Sequence, residues 1–320
     1  MATAGKPLPQ APPLLDGVAA GAHDDGLSAF FNVRPRLFGI AYRMLGSAAE
    51  AEDIVQDVWL RWQSTNRSAV ENPPAYLATT TTRLCINLAQ SAHTRRETYI
   101  GTWLPEPVDT SSDPGIGAER GEALKLAVLM LLEKLSPTER AAYVLREAFD
   151  YSYDQIAAIL QLEEANVRQL VSRARKHIED GRRKSVSSDE QRRLLEAFIA
   201  AARKADMAAL ESLFAEDVVS TSDGGGIVRA ARVPVVGRER VAKFIASAAH
   251  FWDGVKLDWI ETNGEAAVLV SREGLPVALT TIDASEQGID QIVWILRPSK
   301  LGAISKLRLT ERDAAAPAAA

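Results

Sequence analysis

The first third of the chain places hydrophobic residues at the spacing of amphipathic helices. One apolar stripe lies within residues 30–45, a glycine and a serine interrupt it, and a second stripe occupies residues 54–62. A third helix is predicted to begin at Pro73, because proline is favoured in the first turn of a helix. Residues 28–97 are therefore predicted to form an all-helical domain.

A second helical region begins after residue 122. Its segment Ser136-Pro137-Thr138-Glu139 has the residues of a capping box. Between residues 151 and 178 the pattern predicts two short helices joined by a tight turn, as in a helix-turn-helix. The residues expected to be buried are Ile156, Ala157 and Leu160 in the first helix, and Val167, Leu170 and Val171 in the second.

The pattern changes after residue 188, where strand-like runs follow helical ones. Helices are predicted at 189–204, 207–214 and 238–251, and strands at 218–222, 255–262, 266–271, 275–283, 289–297 and 303–309. Helices followed by consecutive strands are typical of an α+β domain.

Composition narrows the class of protein. A chain of 320 residues with 47% hydrophobic and 25% charged residues is long enough for two or three soluble domains. The single cysteine, Cys85, excludes an internal disulfide and suits a cytoplasmic protein. No run reaches the roughly 18 apolar residues of a membrane span. Residues 1–27 are predicted to be a disordered leader and residues 311–320 a tail.

Charge is distributed unevenly along the chain. The whole chain carries −5, yet residues 168–184 contain seven basic and two acidic residues, a net charge of +5. Such a basic helix in a helix-turn-helix suits the major groove of DNA. Its outer face carries Arg168, Gln169, Ser172, Arg173 and Lys176. A helical hairpin with a solvated charged face is the alternative.

The second predicted helix presents an acidic outer face. Glu52, Asp53, Gln56 and Asp57 lie opposite its tryptophan-rich packing side. With Glu50, these residues form a patch that is denser than packing requires. A solvated helix face is the alternative to a functional surface.

Several segments resemble extracytoplasmic-function (ECF) sigma factors of bacterial RNA polymerase. They are AYRMLGSAAEAEDIVQDVWLRW (41–62), NPPAYLATTTTRLCINLAQSAHTRR (72–96) and the helix-turn-helix at 151–178. YIGTWLPEP (99–107), SDGGG (222–226) and the pattern of 188–310 resemble the group in which a SnoaL-like domain follows the sigma domains.

The resemblance implies a multidomain fold with two all-α sigma domains and a C-terminal α+β SnoaL-like (NTF2-like) cone domain. The implied boundaries are 28–97 for the core-binding and downstream-promoter domain, 98–121 for a linker, 122–185 for the upstream-promoter domain and 188–310 for the regulatory domain.

The resemblance also implies partners and contact residues. Glu52, Asp53, Gln56 and Asp57 are expected to dock on the clamp helices of the largest subunit of core RNA polymerase. Promoter DNA is the second expected partner. The residues expected to contact the downstream element are Arg83, Asn87, Arg95 and Arg96, and the basic helix would read the upstream one.

Regulation is expected from contacts between the linker and the last domain. The residues implied are Trp103, Leu104, Pro105, Asp223, Gly224, Gly225 and Gly226. A simple apolar anchor in the linker and a tight glycine turn are the alternatives. Relatives carry a basic residue where Ile227 stands and Asn-Pro-Asp-Lys-Leu at residues 297–301, here Arg-Pro-Ser-Lys-Leu, so the sign of regulation stays open.

Two other classes of protein compete with a sigma factor. An enzyme would use the pocket of the last domain, where Asp217, Asp223, Asp258, Asp283 and His250 are the candidate acids and bases. A helix-turn-helix repressor or activator would leave the acidic helix and residues 72–96 unexplained. We expect a non-enzyme without cofactor or metal, monomeric when free and needing no separate anti-sigma protein. The promoter sequence, inducing signal and any pocket ligand are not predicted.

Overall fold

The N-terminal domain is helical, as predicted. The computed structural model describes residues 26–97, 99–110, 125–181, 183–302 and 304. Helix α1 spans Leu27–Leu45, α2 spans Ala48–Ser64 and α3 spans Pro73–Glu97. Gly46 ends α1 in the left-handed region, and the Ser47 hydroxyl then accepts a hydrogen bond from the Glu50 amide to start α2. Most of the predicted leader, most of the predicted strand 303–309 and the tail lie outside the described residues. Ile304, the described residue within that predicted strand, is helical.

The second domain contains the expected helix-turn-helix. Its helices are α4 (Leu126–Leu132), α5 (Pro137–Glu147), α6 (Tyr153–Leu160) and α7 (Glu164–Asp180). The capping box at Ser136 and Glu139 is present. Gln161 takes the left-handed conformation at the turn, where glycine is commoner, with φ of 56°.

The prediction for the core of α6 was partly wrong. Ile156 is buried as expected, but Ile159 is the second buried residue, and Ala157 and Leu160 are only half-buried. Helix α6 packs against α3 as well as α7, so tertiary contacts set its buried face. In α7, Val167 and Val171 are buried and Leu170 is half-buried.

The C-terminal domain combines helices with a six-stranded sheet among the described residues. Its helices are α8 (Ser188–Arg203), α9 (Met207–Leu213) and α10 (Arg238–Ser247). Its strands are β1 (Phe214–Asp223), β2 (Val235–Val236), β3 (Val255–Thr262), β4 (Glu265–Arg272), β5 (Leu275–Ser285) and β6 (Gly288–Ile295).

The strand order is β2-β1-β6-β5-β4-β3. The pairing of β1 with β6 is parallel and the others are antiparallel. The predicted strand 218–222 is longer than expected, β2 was not predicted, and the predicted helix 238–251 ends at Ser247 before a 3-10 turn.

Each face of this sheet packs against a different part of the molecule. The inner face, with Val268 and Ile292, forms one core with α8 and α10. The outer face, with Leu269 and Ile295, belongs to a second core that also contains residues of the linker and both helical domains. None of the described helices is both long and apolar enough to cross a membrane.

Candidate functional site

The predicted docking residues of α2 form an exposed row. Glu52, Asp53, Gln56 and Asp57 all face solvent, and Glu52 accepts a hydrogen bond of 2.6 Å from Arg34. The opposite side buries Ile54, Val55, Val58 and Trp62, so helical spacing separates the two sides. This surface is free to meet a partner in the arrangement seen here.

The predicted DNA-contacting residues of α3 differ in their contacts and exposure, unlike the acidic residues of α2. Arg83 donates from Nε to the Ile159 carbonyl of α6 at 3.1 Å, so it bridges the two helical domains. Asn87 is exposed. Arg95 and Arg96 lie in the last turns of α3, and their side chains are outside the described part of the structure.

Helix α7 exposes its predicted basic face. Arg168, Gln169, Ser172, Arg173 and Lys176 are all exposed. Two of the arginines are oriented by neighbours: Arg168 bonds Glu164 at 2.5 Å and stacks 4.2 Å from the Tyr153 ring centroid, and Arg173 lies 3.3 Å from Glu139. Glu164, Tyr153 and Glu139 belong to the same domain as α7, so these contacts do not involve the other domains.

The linker and the C-terminal domain meet at a buried ion pair. The Asp223 carboxylate lies 2.7 Å from Lys300 Nζ, with side chains 0% and 3% exposed. It also accepts hydrogen bonds from the Leu104 amide at 3.1 Å and from the Tyr99 hydroxyl at 2.5 Å. Lys300 donates to the Leu104 carbonyl as well. One carboxylate and one ammonium therefore hold both backbone groups of Leu104.

Apolar contacts surround this pair. Leu104 is fully buried, Pro105 is buried, and the half-buried Trp103 ring has its centroid 4.3 Å from Lys300 Nζ. A side chain at Gly46 would meet the Trp103 ring at 2.8 Å, so the ring packs on the turn between α1 and α2. Trp103 thus contacts the N-terminal domain and the Lys300 cation together.

Burial changes the proton affinities at the junction. It raises the pKa of Tyr99 to about 12, and the hydrogen bond to Asp223 acts in the same direction. Burial lowers the pKa of Lys300, and the attraction of Asp223 opposes that shift. The raised pKa keeps the Tyr99 hydroxyl protonated near neutral pH, so that it can donate to Asp223.

The glycines after Asp223 form the tight turn that one interpretation predicted. The Asp223 carboxylate accepts from the Gly225 amide at 3.1 Å, and Gly225 and Gly226 both have positive φ. A Cβ at Gly224 would lie 2.3 Å from the Val228 carbonyl oxygen. The turn shapes the loop that presents Asp223 to the linker. Ile227, which replaces a basic residue, is 70% exposed.

A second junction lies farther along the linker. The Glu106 carboxylate accepts hydrogen bonds from the Ala48 and Ala49 amides at 2.7 and 3.2 Å, at the N-terminus of α2. Asn263, in the β3–β4 turn, accepts from the Val108 amide at 3.1 Å and donates to the Tyr42 hydroxyl at 2.7 Å. The linker is therefore bonded to the acidic helix on one side and to the sheet on the other.

The two helical domains also touch directly. Arg140 of α5 donates to the Met44 carbonyl at 2.6 Å, and burial lowers its pKa to about 10. Arg36 of α1 donates to the Phe149 carbonyl at 2.7 Å. With the Arg83 bond, these contacts fix α1 and α3 against the helix-turn-helix domain.

Comparison with known proteins identifies the family. Models described as sigma-70 region 2 and sigma-70 region 4 match residues 31–96 and 125–178. The ECF RNA polymerase sigma factor SigJ of Mycobacterium tuberculosis is 38% identical over 225 residues, which cover 68% of this chain and 72% of that protein. The chain belongs to the ECF sigma factors. It therefore directs promoter-specific initiation of transcription.

Further comparisons agree with this family. A probable ECF sigma factor SigI of the same species is 34% identical over 227 residues, 70% of this chain and 77% of the relative. The crystal structure of M. tuberculosis SigJ superimposes with a TM-score of 0.70 at 31% identity, covering 87% of this chain and 98% of that one. The fold is thus two sigma domains followed by a SnoaL-like domain.

Sequence reasoning missed several residues that hold this sigma factor together. They are Glu106, Arg140, Arg183 and Asn263. The Asn263-Gly264 pair is a hairpin-turn signal, but no local pattern reveals which distant groups a turn contacts. Arg183 pairs with Asp217 at 2.8 Å and with Asp290, which ties the segment after α7 to the sheet.

Proposed function

We propose that this sigma factor docks on core RNA polymerase through the acidic face of α2, while its SnoaL-like domain holds the two DNA-binding domains in a closed arrangement. The observation that carries the proposal is the buried Asp223–Lys300 pair on Leu104, which joins the linker to the last domain. The proposed clamp-helix contacts of Glu52, Asp53, Gln56 and Asp57 are supported by their exposure in this arrangement.

The closed arrangement also engages one of the proposed promoter-contacting residues of α3. We assign Arg83 to the downstream element, together with Asn87, Arg95 and Arg96. In this structure the Arg83 guanidinium donates a hydrogen bond to the Ile159 carbonyl of the other helical domain. Closure therefore engages a residue that we assign to promoter DNA, and the last domain acts through the equilibrium between closed and open arrangements.

The effect of the last domain on promoter output is limited by its binding free energies. A coupled domain shifts an equilibrium only by its differential affinity for the two arrangements, typically about 1–3 kcal/mol. Disturbing the linker contacts should therefore change promoter output several-fold. We leave the sign open, since polymerase binding to the closed arrangement decides it.

The basic face of α7 is proposed to read the upstream element. It comprises Arg168, Gln169, Ser172, Arg173 and Lys176. A bidentate arginine on guanine contributes about 1–3 kcal/mol of discrimination, whereas a phosphate contact weakens all sequences alike. Arg173→Ala should thus relax base preference at one position; a uniform loss across promoter variants in a binding assay would assign Arg173 to the backbone.

We infer that the last domain is a binding and regulatory module without catalysis. Asp217 and Asp258 pair with Arg183 and Lys256, and Asp223 is held in the linker contact. These candidate bases thus have structural partners. We further propose that the protein is cytoplasmic, monomeric when free and regulated without a separate anti-sigma protein, since its own domain covers the sigma domains.

Core binding is tested by reversing charge on α2. Asp53→Lys with Asp57→Lys should strongly reduce co-purification with core polymerase, because both side chains are exposed and neither packs in the domain. The control is Glu273→Lys with Glu286→Lys, the same charge change at exposed turns of the last domain. Equal recovery of both variants would contradict the assignment of α2.

Closure is tested by transcription in vitro with the full chain. Trp103→Ala removes a ring that contacts Lys300 and the α1–α2 turn, and should change promoter output several-fold. Trp259→Ala is the control, since Trp259 packs in the inner core away from the linker. Equal output from wild type and Trp103→Ala, with both folded, would count against a regulatory clamp.

A further inference from the structure

A cavity of about 480 Å³ opens on the inner side of the C-terminal sheet. Its apolar lining includes four aromatic side chains: Phe244, Phe251, Trp252 and Trp294. The rings of Trp252 and Trp294 have centroids 6.0 Å apart, and Phe251 meets Trp294 edge-on at 6.3 Å. Cavities of this size and lining suit a small molecule with a flat apolar body.

One polar atom in this wall lacks a partner. Trp294 is only 7% exposed, and its indole Nε1 is buried and makes no hydrogen bond within the described structure. Buried indole N–H groups ordinarily find an acceptor. Ser222 and Thr280 flank Trp294 on the neighbouring strands, and the Thr280 hydroxyl is likewise buried without a partner. An unsatisfied donor therefore belongs to a residue that lines the cavity.

The mouth of the cavity is cationic. Arg229 is exposed and lines it, together with His250, and no aspartate or glutamate is among the lining residues that the structure describes. A guanidinium near a desolvated aromatic wall favours an anionic group, with which it forms charge-assisted hydrogen bonds. The lining thus combines a flat apolar body site, an indole donor and an arginine.

We propose that this cavity binds a small aromatic carboxylate. The ring system lies against Phe251, Trp252 and Trp294, one oxygen accepts from the Trp294 indole, and the negative charge faces Arg229. The described lining contains His250 but no carboxylate, and we assign the site to binding. The class of ligand follows from the shape of the cavity, from one hydrogen-bond donor, the Trp294 indole, and from one cationic side chain, Arg229.

The cavity is connected to the linker contact through the chain itself. Ser222 lines the cavity and precedes Asp223, and Leu296 lines it and donates its amide to the Asp223 carbonyl at 2.9 Å. The loop bearing Arg229 continues to Arg232, whose Cα is 3.8 Å from a side chain placed at Gly101 of the linker. If the closed arrangement regulates transcription, as proposed above, ligand binding is positioned to shift it.

The binding test uses 1-naphthoate and its uncharged analogue 1-naphthalenemethanol, with full-length protein and isothermal calorimetry. We expect saturable 1:1 binding of naphthoate and about tenfold weaker binding of the alcohol, the loss typical of one charge-assisted bond. Arg229→Gln should weaken naphthoate about tenfold and leave the alcohol unchanged. Trp294→Phe, which keeps a ring but removes the N–H, should weaken both probes.

Arg232→Gln is the matched control, because this arginine lies on the same loop but outside the lining of the aromatic cavity. Its affinity for naphthoate should equal that of wild type. Circular dichroism melting confirms that each variant is folded; Arg229 is exposed, so its replacement leaves the core intact. Absence of naphthoate binding at millimolar concentration, or equal affinity in wild type, Arg229→Gln and Trp294→Phe, would overturn the proposed site.

A second readout separates the site from the proposed regulation. Transcription with core polymerase is measured with and without saturating naphthoate, for wild type and Arg229→Gln. A change confined to wild type supports both the site and its coupling to the linker. Calorimetric binding at Arg229 with no change in transcription keeps the site and rejects the coupling, whereas absent binding rejects the site and leaves the linker contacts to be judged by Trp103→Ala.

Discussion

The two faces of the C-terminal sheet have opposite relations to the rest of the molecule. Ile292 and Ile295 lie on the same strand, β6, and are both fully buried. Among the described residues, Ile292 packs in the core of the C-terminal domain, whereas Ile295 packs in a core shared with the linker and the sigma domains. The inner face forms the hydrophobic core of the C-terminal domain, whereas the outer face is covered by the linker and the sigma domains.

The polar groups on the two sides differ in the same way. At the outer contacts, Asp223 and Asn263 bond to the linker. On the inner side, the Trp294 indole is buried without a partner beside a cavity. The comparison teaches that the outer face is built to bind the protein's own chain, while the inner face retains capacity for a ligand.

Removing the buried carboxylate should have the largest effect. Asp223→Ala leaves the Lys300 ammonium, 3% exposed, without its counter-charge, and breaking one half of a buried pair costs about 3–5 kcal/mol. The free energy of unfolding, measured with urea, should fall by that order. Asp253→Ala, at an exposed position, is the control. A fall below about 1 kcal/mol would mean that the pair contributes little to the outer face.

The hairpin contact should come next. Asn263→Ala removes hydrogen bonds to Val108 and Tyr42 and strains the left-handed backbone, where φ is 56°. We expect a loss of about 1–3 kcal/mol of stability, as for buried hydrogen-bonding groups left unpaired. Hydrogen exchange at the Val108 amide should accelerate more than exchange in β6. Uniform acceleration across the domain would show that the hairpin does not act specifically on the linker.

A matched pair of smaller changes tests the comparison itself. Ile292→Val and Ile295→Val each remove one methylene from a fully buried site on β6, and should each cost about 0.5–1.5 kcal/mol. Only Ile295→Val should alter promoter output in vitro, because only that side chain contacts the shared core. Equal changes in transcription would mean that stability, and not the identity of the face, controls activity.

The smallest effect is expected at the exposed Arg183 contact. Its guanidinium lowers the pKa of Asp217 by hydrogen bonding, so the pair stabilises the fold above the usual aspartate range and loses that contribution as pH falls below it. Arg183→Gln should reduce the acid sensitivity of the melting temperature slightly, and high salt should hide the difference. An unchanged pH profile in low salt would show that the contact is incidental.

Much of this fold follows from local patterns in the sequence. The capping box at Ser136, the helix-turn-helix and the strand 255–262 were all predicted, because caps and periodic burial depend on nearby residues. The burial of Ile159 in α6 and the short β2 were not predicted, since contacts with α3 and β1 decide them. The exposure of Asp53 and Asp57 on α2 followed from helical spacing alone.

The sequence by itself determined the resemblance to ECF sigma factors, the basic face of α7, the acidic face of α2 and the α+β class of the last domain. Only the tertiary structure decided that Arg83 bonds Ile159, that Glu106 caps α2 and that Lys300 is paired with Asp223. Helix and strand periods fix which face of an element is apolar, but not which element covers it. Residues such as Tyr42 and Asn263, separated by 221 positions, meet only when the whole chain has folded.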